Sequence, residues 1–426
     1  MRLSLMVGLW LIVFAVNASQ LEPTQNNPES AVSVLTLQQV VERVLKTNPE
    51  LASSSFASRA MMARIQSARQ TPAMNIDLNM ENFAGSGTYS GSDSLETTLS
   101  LSKVFELGNK SGIREEIAQQ QALSFDSEQD AKRLDILAMA AQQFIHVIVD
   151  QLRLQVARDR HALMQNSYQV VDKRVRAGRS HVAERRRTAI ALARAEIELE
   201  HARHELNTSR LKMATFWGET QFDYAKANAD LFMVDKPEPF ENLASLIEQS
   251  PQLVRFASEQ RLAEARLELA KARRSANIEL SAGVRHFNRL DDNAFVLSTR
   301  IPFGLNSRAK PAIEEQQLRA QQVPLDYRAH KLNVYSSLFE IYQELLHNYE
   351  ATNVLQNRII PEAKKALREY ERGYNAGRFS FLELRDAQNA LLSAKLDAVT
   401  AAANYHRFRI EIDRLTGAGL LTGVSQ

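Results

Sequence analysis

The feature that most constrains this chain is that it says the same thing twice. Ala177-Gly178-Arg179-Ser180 and Ala376-Gly377-Arg378-Phe379 each interrupt a long run of helix-forming residues, and Glu184, Leu192, Ala195, Arg210 and Gly218 return at the same spacing as Glu383, Leu391, Ala394, Arg409 and Gly417. Earlier in each half, Arg64, Ala68, Asn75, Ile76 and Leu78 return as Arg266, Ala270, Asn277, Ile278 and Leu280. A repeated unit of roughly 200 residues replaces the two or three unrelated domains that the length would otherwise suggest. The chain divides into one copy over residues 35–239 and another over 240–418.

Each copy opens on helix signals. Thr36-Leu-Gln-Gln39 is a capping-box pattern, and Asn48-Pro49 restarts the helix with an Asn cap and Pro at the first helical position. The second copy uses Ser250-Pro251 in the same place. The hydrophobic period then changes from that of a helix to that of a strand. Ile76, Leu78 and Met80 alternate with Asp77, Asn79 and Glu81, and Leu95, Thr97, Leu99 and Leu101 alternate with Glu96, Thr98, Ser100 and Ser102. A Gly/Ser-rich loop over 84–94 joins them into a hairpin spanning 75–103. The second copy repeats it over 277–302, through Ile278, Leu280, Ala282 and Val284, then Phe295, Leu297, Thr299 and Ile301. No aromatic belt is evident on these apolar faces.

A helical hairpin follows each strand pair, over 113–217 and 307–416, with a connector at 218–239. In the first, Thr188, Leu192, Ala195, Leu199, Ala202, Leu206, Ser209, Met213 and Phe216 keep an alternating four–three spacing. Ala387, Leu391, Ala394, Ala398, Ala401, Tyr405, Phe408, Ile412 and Leu415 keep it in the second. A sustained seam of this period specifies left-handed coiled-coil packing, and its many alanines imply close helix approach. Pro324 and Pro361 are expected to bend or break the long helix of the second copy.

Composition narrows the class. With 24% charged and only 7% aromatic residues the chain is mainly α with a small β part, and its net charge of +2 identifies no partner. The absence of cysteine excludes disulfides, thiolate metal sites and acylation of an N-terminal Cys. Residues 1–18 read as a signal peptide: Arg2, an apolar run from Leu3 to Val16, and a Val16-Asn17-Ala18 cleavage site before Ser19. The alternative, an uncleaved anchor, is disfavoured because the apolar run is short for a spanning helix. Residues 19–34 read as an irregular arm and 419–426 as a tail.

Four strands raise a problem of closure. A four-stranded sheet has two open edges whose backbone groups lipid cannot satisfy, and membrane barrels begin near eight strands. Either the hairpins pack on a soluble core, or several chains share one barrel. Nothing points to chemistry. No nucleophile–base constellation is visible, Gly417-Ala-Gly419 follows no strand and is no nucleotide loop, and His201 and His204 stand without a supporting carboxylate–His motif. Taken by themselves, Glu184, Glu383 and Asp386 are ordinary solvated helix charges, and Arg185 to Arg187 a solvated face.

Helix, strand hairpin and long helical hairpin, twice over, resemble the TolC-like outer-membrane efflux channels across nearly all of the mature chain. The stretch from Glu81 to Lys110, ending Val104-Phe105-Glu106-Leu107-Gly108-Asn109-Lys110, is similar to the cobalt–zinc–cadmium branch, the CzcC type. The resemblance implies a homotrimer in which four strands per chain complete a twelve-stranded barrel in the outer membrane of a Gram-negative bacterium. Helical hairpins then form a periplasmic tunnel. It implies lipid, a periplasmic adaptor (membrane fusion) protein and an inner-membrane RND pump as partners, with no nucleic acid, no cofactor and no enzymatic activity. Divalent heavy-metal cations are the expected substrates. A multidrug or type I secretion duct is the alternative within the family; a periplasmic coiled-coil adaptor or scaffold is the alternative outside it. By the same resemblance the turns at Ala177, Gly178, Arg179, Ala376 and Gly377 form the tip where an adaptor docks, and Tyr374, Arg378, Glu383, Asp386 and Glu184 form the gate. The family places a basic residue two positions after the second turn glycine. Phe379 stands there, with Arg378 beside it.

Overall fold

The computed structural model describes residues 34–417, so the expected signal peptide and the tail lie outside the described residues, as does the arm up to residue 33. The first copy runs β1 (Val34–Leu35), α1 (Leu37–Thr47), α2 (Pro49–Arg69), β2 (Met74–Glu81), β3 (Glu96–Glu106), α3 (Lys110–Arg176) and α4 (Val182–Thr215). After β4 (Lys226–Ala227) come α5 (Phe240–Leu246), α6 (Pro251–Ala272), β5 (Asn277–Phe287), β6 (Asp292–Arg300), α7 (Leu305–Val354), α8 (Ile360–Asn375) and α9 (Phe381–Thr416). In the first copy the caps are those the sequence specifies, whereas Ser250 stands at the start of α6 without a capping bond from its side chain. Thr36 and Gln39 satisfy each other's backbone N–H groups, and the Asn48 side chain accepts from Glu50 and Leu51 while donating to the Phe216 carbonyl at 2.8 Å.

Pro324 does not break its helix: α7 is continuous across it. One missing hydrogen bond is outweighed where Val323 and Tyr327, on either side, pack into a core with Phe256, Val334 and Leu338. Pro361 is different. It follows a π-helical turn at Leu355–Ile359, whose wider ring leaves room for the pyrrolidine and joins α7 to α8.

The four long strands form one antiparallel sheet in the order β2–β3–β5–β6, and β3 pairs with β5 across the two copies. Its register sorts the faces. Ile76, Leu101, Ala282 and Leu297 lie in one row and Leu78, Leu99, Val284 and Phe295 in the next, all on one face. That face is apolar and bare, with Ile76 76% and Phe295 94% exposed. The opposite face is polar, and Thr98 and Ser102 on it are only 7% and 2% exposed. Polar inside and apolar outside is the alternation of a strand whose outer solvent is lipid. Exposed aromatics stand at both ends of the sheet, Phe105 and Phe303 toward the helices, Phe83 and Tyr89 in the far loop. No helix among the described residues is long and apolar enough to cross a membrane.

Gly283 admits a close approach between β3 and β5. A Cβ there would meet the Leu99 carbonyl oxygen at 2.4 Å and the Ser100 Cβ at 2.5 Å, so β3 and β5 approach more closely than side chains permit. Gly283→Ala should weaken the sheet by about 1–3 kcal/mol, read as loss of heat-modifiable migration in membrane fractions.

The helices extend the same four-element slab. Next to the sheet the order is α2–α3–α6–α7; toward the two turns it is α4–α3–α9–α8. Both coiled-coil seams are covered, with Thr188, Ala195, Leu206 and Met213 buried on α4 and Leu391, Ala398, Tyr405 and Ile412 buried on α9. Midway along, β1 and β4 pair in parallel. The free edge of β4 is closed by Gln151, whose amide both accepts from and donates to the Ala227 backbone at 2.8 and 2.9 Å. The connector is strapped to α9, where the Tyr405 hydroxyl donates to the Asp235 carbonyl at 2.7 Å and the His406 ring lies 2.9 Å from the Leu231 carbonyl oxygen.

Asp413 is half-buried on α9, one turn after Arg409, and desolvation pushes its carboxyl up to about 6. A raised carboxyl pKa means that the folded chain holds a proton that the unfolded chain has released. Its destabilising effect is therefore full above pH 6 and fades as pH falls toward the ordinary carboxylate value of about 4. Asp413→Asn should stabilise the protein by ~1–2 kcal/mol at neutral pH and by nothing near pH 4, a difference that thermal melting at the two pH values measures.

Candidate functional site

The two helical turns are built alike. At the end of α3 the Arg179 N–H donates to the Arg174 carbonyl at 2.8 Å and the Gly178 N–H to the Val175 carbonyl at 3.0 Å. At the end of α8, Arg378 donates to Gly373 at 2.8 Å and Gly377 to Tyr374 at 3.0 Å. These paired bonds are Schellman closures, and they require a left-handed residue, supplied by Gly178 at φ +70° and Gly377 at φ +76°. The next helices start differently. His181 Nδ1 accepts from Ala183 N–H at 3.1 Å, whereas Ser380 forms a capping box with Glu383.

The sequence-nominated residues fall into three groups. Tyr374 is buried, 4% exposed, and its ring lies against Phe381. Burial raises the pKa of its hydroxyl; Arg174 opposes this and Glu184 adds to it. The Tyr374 hydroxyl and Glu184 Oε2 are both buried, and Ser180 is the hydrogen-bonding side chain that faces the hydroxyl. Glu383 accepts from the Ser380 backbone and hydroxyl at 2.7 and 2.8 Å, which holds its carboxyl below the usual value. Arg378 and Asp386 are exposed, and Asp386 lies 3.8 Å from Arg385. Ala177 and Ala376 end their helices, and Arg179 projects from the first turn.

Arg174 is the residue that sequence reasoning missed. From α3 it reaches the second hairpin, donating to the Tyr374 carbonyl at 2.8 Å with its guanidinium 4.6 Å from the centre of the Tyr374 ring. Its signal was a break in the repeat, because the position matching Arg174 in the second copy is Gly373. That glycine is needed for another reason. A Cβ on Gly373 would lie 2.1 Å from Phe379 Cδ2, and the Phe379 ring packs at a tilt against Tyr370, with centroids 4.9 Å apart. So the residue where the family pattern expects a basic side chain packs onto its own hairpin.

Farther from the turns, polar contacts continue to join α3 to α9: Ser167 to Gln388 at 3.2 Å, Asp159 to Lys395 at 2.7 Å, and Asp135 to Arg414 at 2.8 Å. Asp172 ties α3 to its own return helix through Arg185 at 3.5 Å. Among the described residues no group of three His, Asp or Glu side chains could hold a metal ion.

Comparison with known proteins places this geometry. The family described as "Outer membrane efflux protein" matches residues 40–219 and 242–418. The cobalt-zinc-cadmium resistance protein CzcC of Cupriavidus metallidurans is 22% identical over 391 residues, 92% of each chain. Crystal structures of CusC, which concern folding and transmembrane channel formation, superpose with a TM-score of 0.74 at 16% identity, covering 90% of this chain and 92% of that one. The open state of the MtrE outer membrane channel of Neisseria gonorrhoeae gives 0.72 at 18% identity over 90% and 89%.

Proposed function

The chain belongs to the outer membrane efflux protein family, and on that premise we propose that it is the exit duct of a tripartite heavy-metal efflux system, working as a homotrimer. It is a passive outer-membrane channel, not an enzyme. The observation that carries the trimer is the slab itself. The sheet ends on unpaired β2 and β6, and the helical layers end on α2 and α7 or on α4 and α8. Open sheet edges cannot stand in lipid. Neighbouring copies close all three levels at once, giving a twelve-stranded barrel over a helical tunnel.

The edge helices carry what such closure needs. Ile190 and Ile197 are exposed on α4, Phe56 and Met62 on α2, and Leu318, Leu325 and Leu332 recur every seventh residue on α7. These are stripes that coiled-coil contacts between chains would cover.

Divalent cations as cargo rest on the likeness to CzcC over 92% of each chain. The pump and the periplasmic adaptor supply energy and selection, and the adaptor meets the turns at Ala177–Arg179 and Ala376–Arg378. There the gate is formed by Tyr374, Glu184, Glu383, Asp386 and Arg378, with Arg174 tying the two hairpins of each chain together. Threefold symmetry makes each inward carboxylate a ring of like charges, repulsive unless cations or guanidinium groups neutralise it.

Deletion of the gene and complementation test the reading. Cells lacking the protein should become sensitive to zinc, cobalt or cadmium, and the unaltered gene should restore resistance. Sensitivity to drugs with unchanged metal resistance would instead make it a multidrug duct. In detergent the purified protein should have the mass of three chains.

A further inference from the structure

The polar face of the sheet contains a charge arrangement that closure of a barrel does not require. Glu81 on β2 and Glu96 on β3 are direct cross-strand partners on that face. Like charges in this position repel. Arg285, from β5 in the other copy, is placed between them. Its Nη1 lies 3.0 Å from Glu96 Oε2, its Nη2 lies 3.5 Å from Glu81 Oε2, and its Nε donates to Thr98 Oγ1 at 2.9 Å. Asn82 donates to the remaining Glu96 oxygen at 2.8 Å.

We infer that Glu81, Glu96 and Arg285 form the charge-selective belt of the barrel lumen, with Arg285 setting how strongly the outer mouth prefers cations. The inference rests on the trimeric channel proposed above, which turns the polar sheet face into the wall of the conduction path.

The argument is one of face and balance. Arg285 shares its face with Asp77, Ser100, Gly283 and Ser281, and the apolar row of Leu99, Val284 and Phe295 lies on the other. The belt sits at the loop end of the strands, beside the hairpin turns, far from the helical tip. Two carboxylates against one guanidinium leave each chain's cluster net negative. Elsewhere on this face Glu279 is matched by Arg300 at 3.0 Å, and Asp77 accepts from the Ser102 hydroxyl at 2.7 Å. Three copies would surround the lumen with an excess of negative charge that attracts cations leaving the cell, while Arg285 keeps that attraction from becoming a trap. Ions must be drawn in weakly enough to leave.

Reversal potentials of single channels in planar bilayers, under a potassium chloride gradient, read the belt directly. Arg285→Gln should raise the potassium-to-chloride permeability ratio roughly two- to five-fold, because it removes the only cation of the cluster. Glu81→Gln with Glu96→Gln should lower the ratio below that of the unaltered channel, and this variant removes the repulsion that could hinder folding. Arg285→Lys, which keeps the charge but loses the fork geometry, should leave the ratio near its original value. An unaltered protein that inserts and conducts while the Gln variants leave the ratio unmoved would overturn the inference and leave the channel reading intact. A protein that forms no channel at all would overturn the channel reading first. A shift in Arg285→Lys as large as in Arg285→Gln, with trimers intact, would show that shape, not charge, is what Arg285 supplies.

Discussion

Chains carrying Ile190→Asp and Ile197→Asp together should run as monomers in detergent where the unaltered protein runs as a trimer. Both side chains point away from the seam that α4 shares with α3, and Ile197 is 70% exposed within the chain. Covering an isoleucine contributes about 1.5–3 kcal/mol relative to leaving it exposed. The pair recurs in every interface of a closed ring, so the loss is multiplied by symmetry. An aspartate in its place adds the desolvation of a charge with no partner. Chain folding should survive, because α4 keeps its buried stripe of Thr188, Ala195, Leu206 and Met213 against α3. Size-exclusion chromatography with light scattering, alongside circular dichroism for helix content, checks both halves of the expectation. Full trimers from the double variant would mean that α4 faces solvent and that closure runs through other surfaces.

The second large effect belongs to the tip. Arg174→Ala with Asp386→Arg should raise single-channel conductance several-fold and make cells permeable to large antibiotics. Arg174 holds the second hairpin by a charged hydrogen bond to the Tyr374 carbonyl and by its position over the ring. Together such contacts contribute about 2 kcal/mol or more per chain, and three chains share one aperture. Loosening it is a shift between two packed arrangements of the same helices, biased by contacts present in only one of them. Asp386 is exposed and weakly paired within its own chain, and in a trimer its charge would face its counterparts across the threefold axis. Tyr374→Phe serves as the control. It keeps the ring and the carbonyl that Arg174 touches and removes only the hydroxyl, so conductance should change little. A closed, unaltered channel in the Arg174→Ala, Asp386→Arg variant would reduce these residues to surface charges.

Much of the architecture was legible because it depends on period and on local chemistry. Alternation in Asn75 to Glu81 and in Glu96 to Ser102 gave strands, the four–three seams gave coiled-coil faces, and Gly178, Gly377, Asn48 and Ser380 marked the ends of helices. These signals act within a few residues, and duplication states each of them twice. Legibility ended where one copy departs from the other. Gly373 and Arg174 occupy matching places with opposite purposes, one to admit the Phe379 ring and the other to span two hairpins. No local rule predicts either.

What the sequence determined by itself was therefore the repeated unit, its strands and helices, and the faces they bury. Tertiary structure decided the rest. The union of the two hairpins through β3 and β5 and the placing of Arg285 between Glu81 and Glu96 bring together residues far apart in the chain. So does the reach of Arg174 to Tyr374. Such contacts depend on how whole elements pack, and on a few ångströms of backbone approach such as Gly283 allows. Periodicity fixes which face of an element is buried, but only packing fixes which distant side chain that face meets.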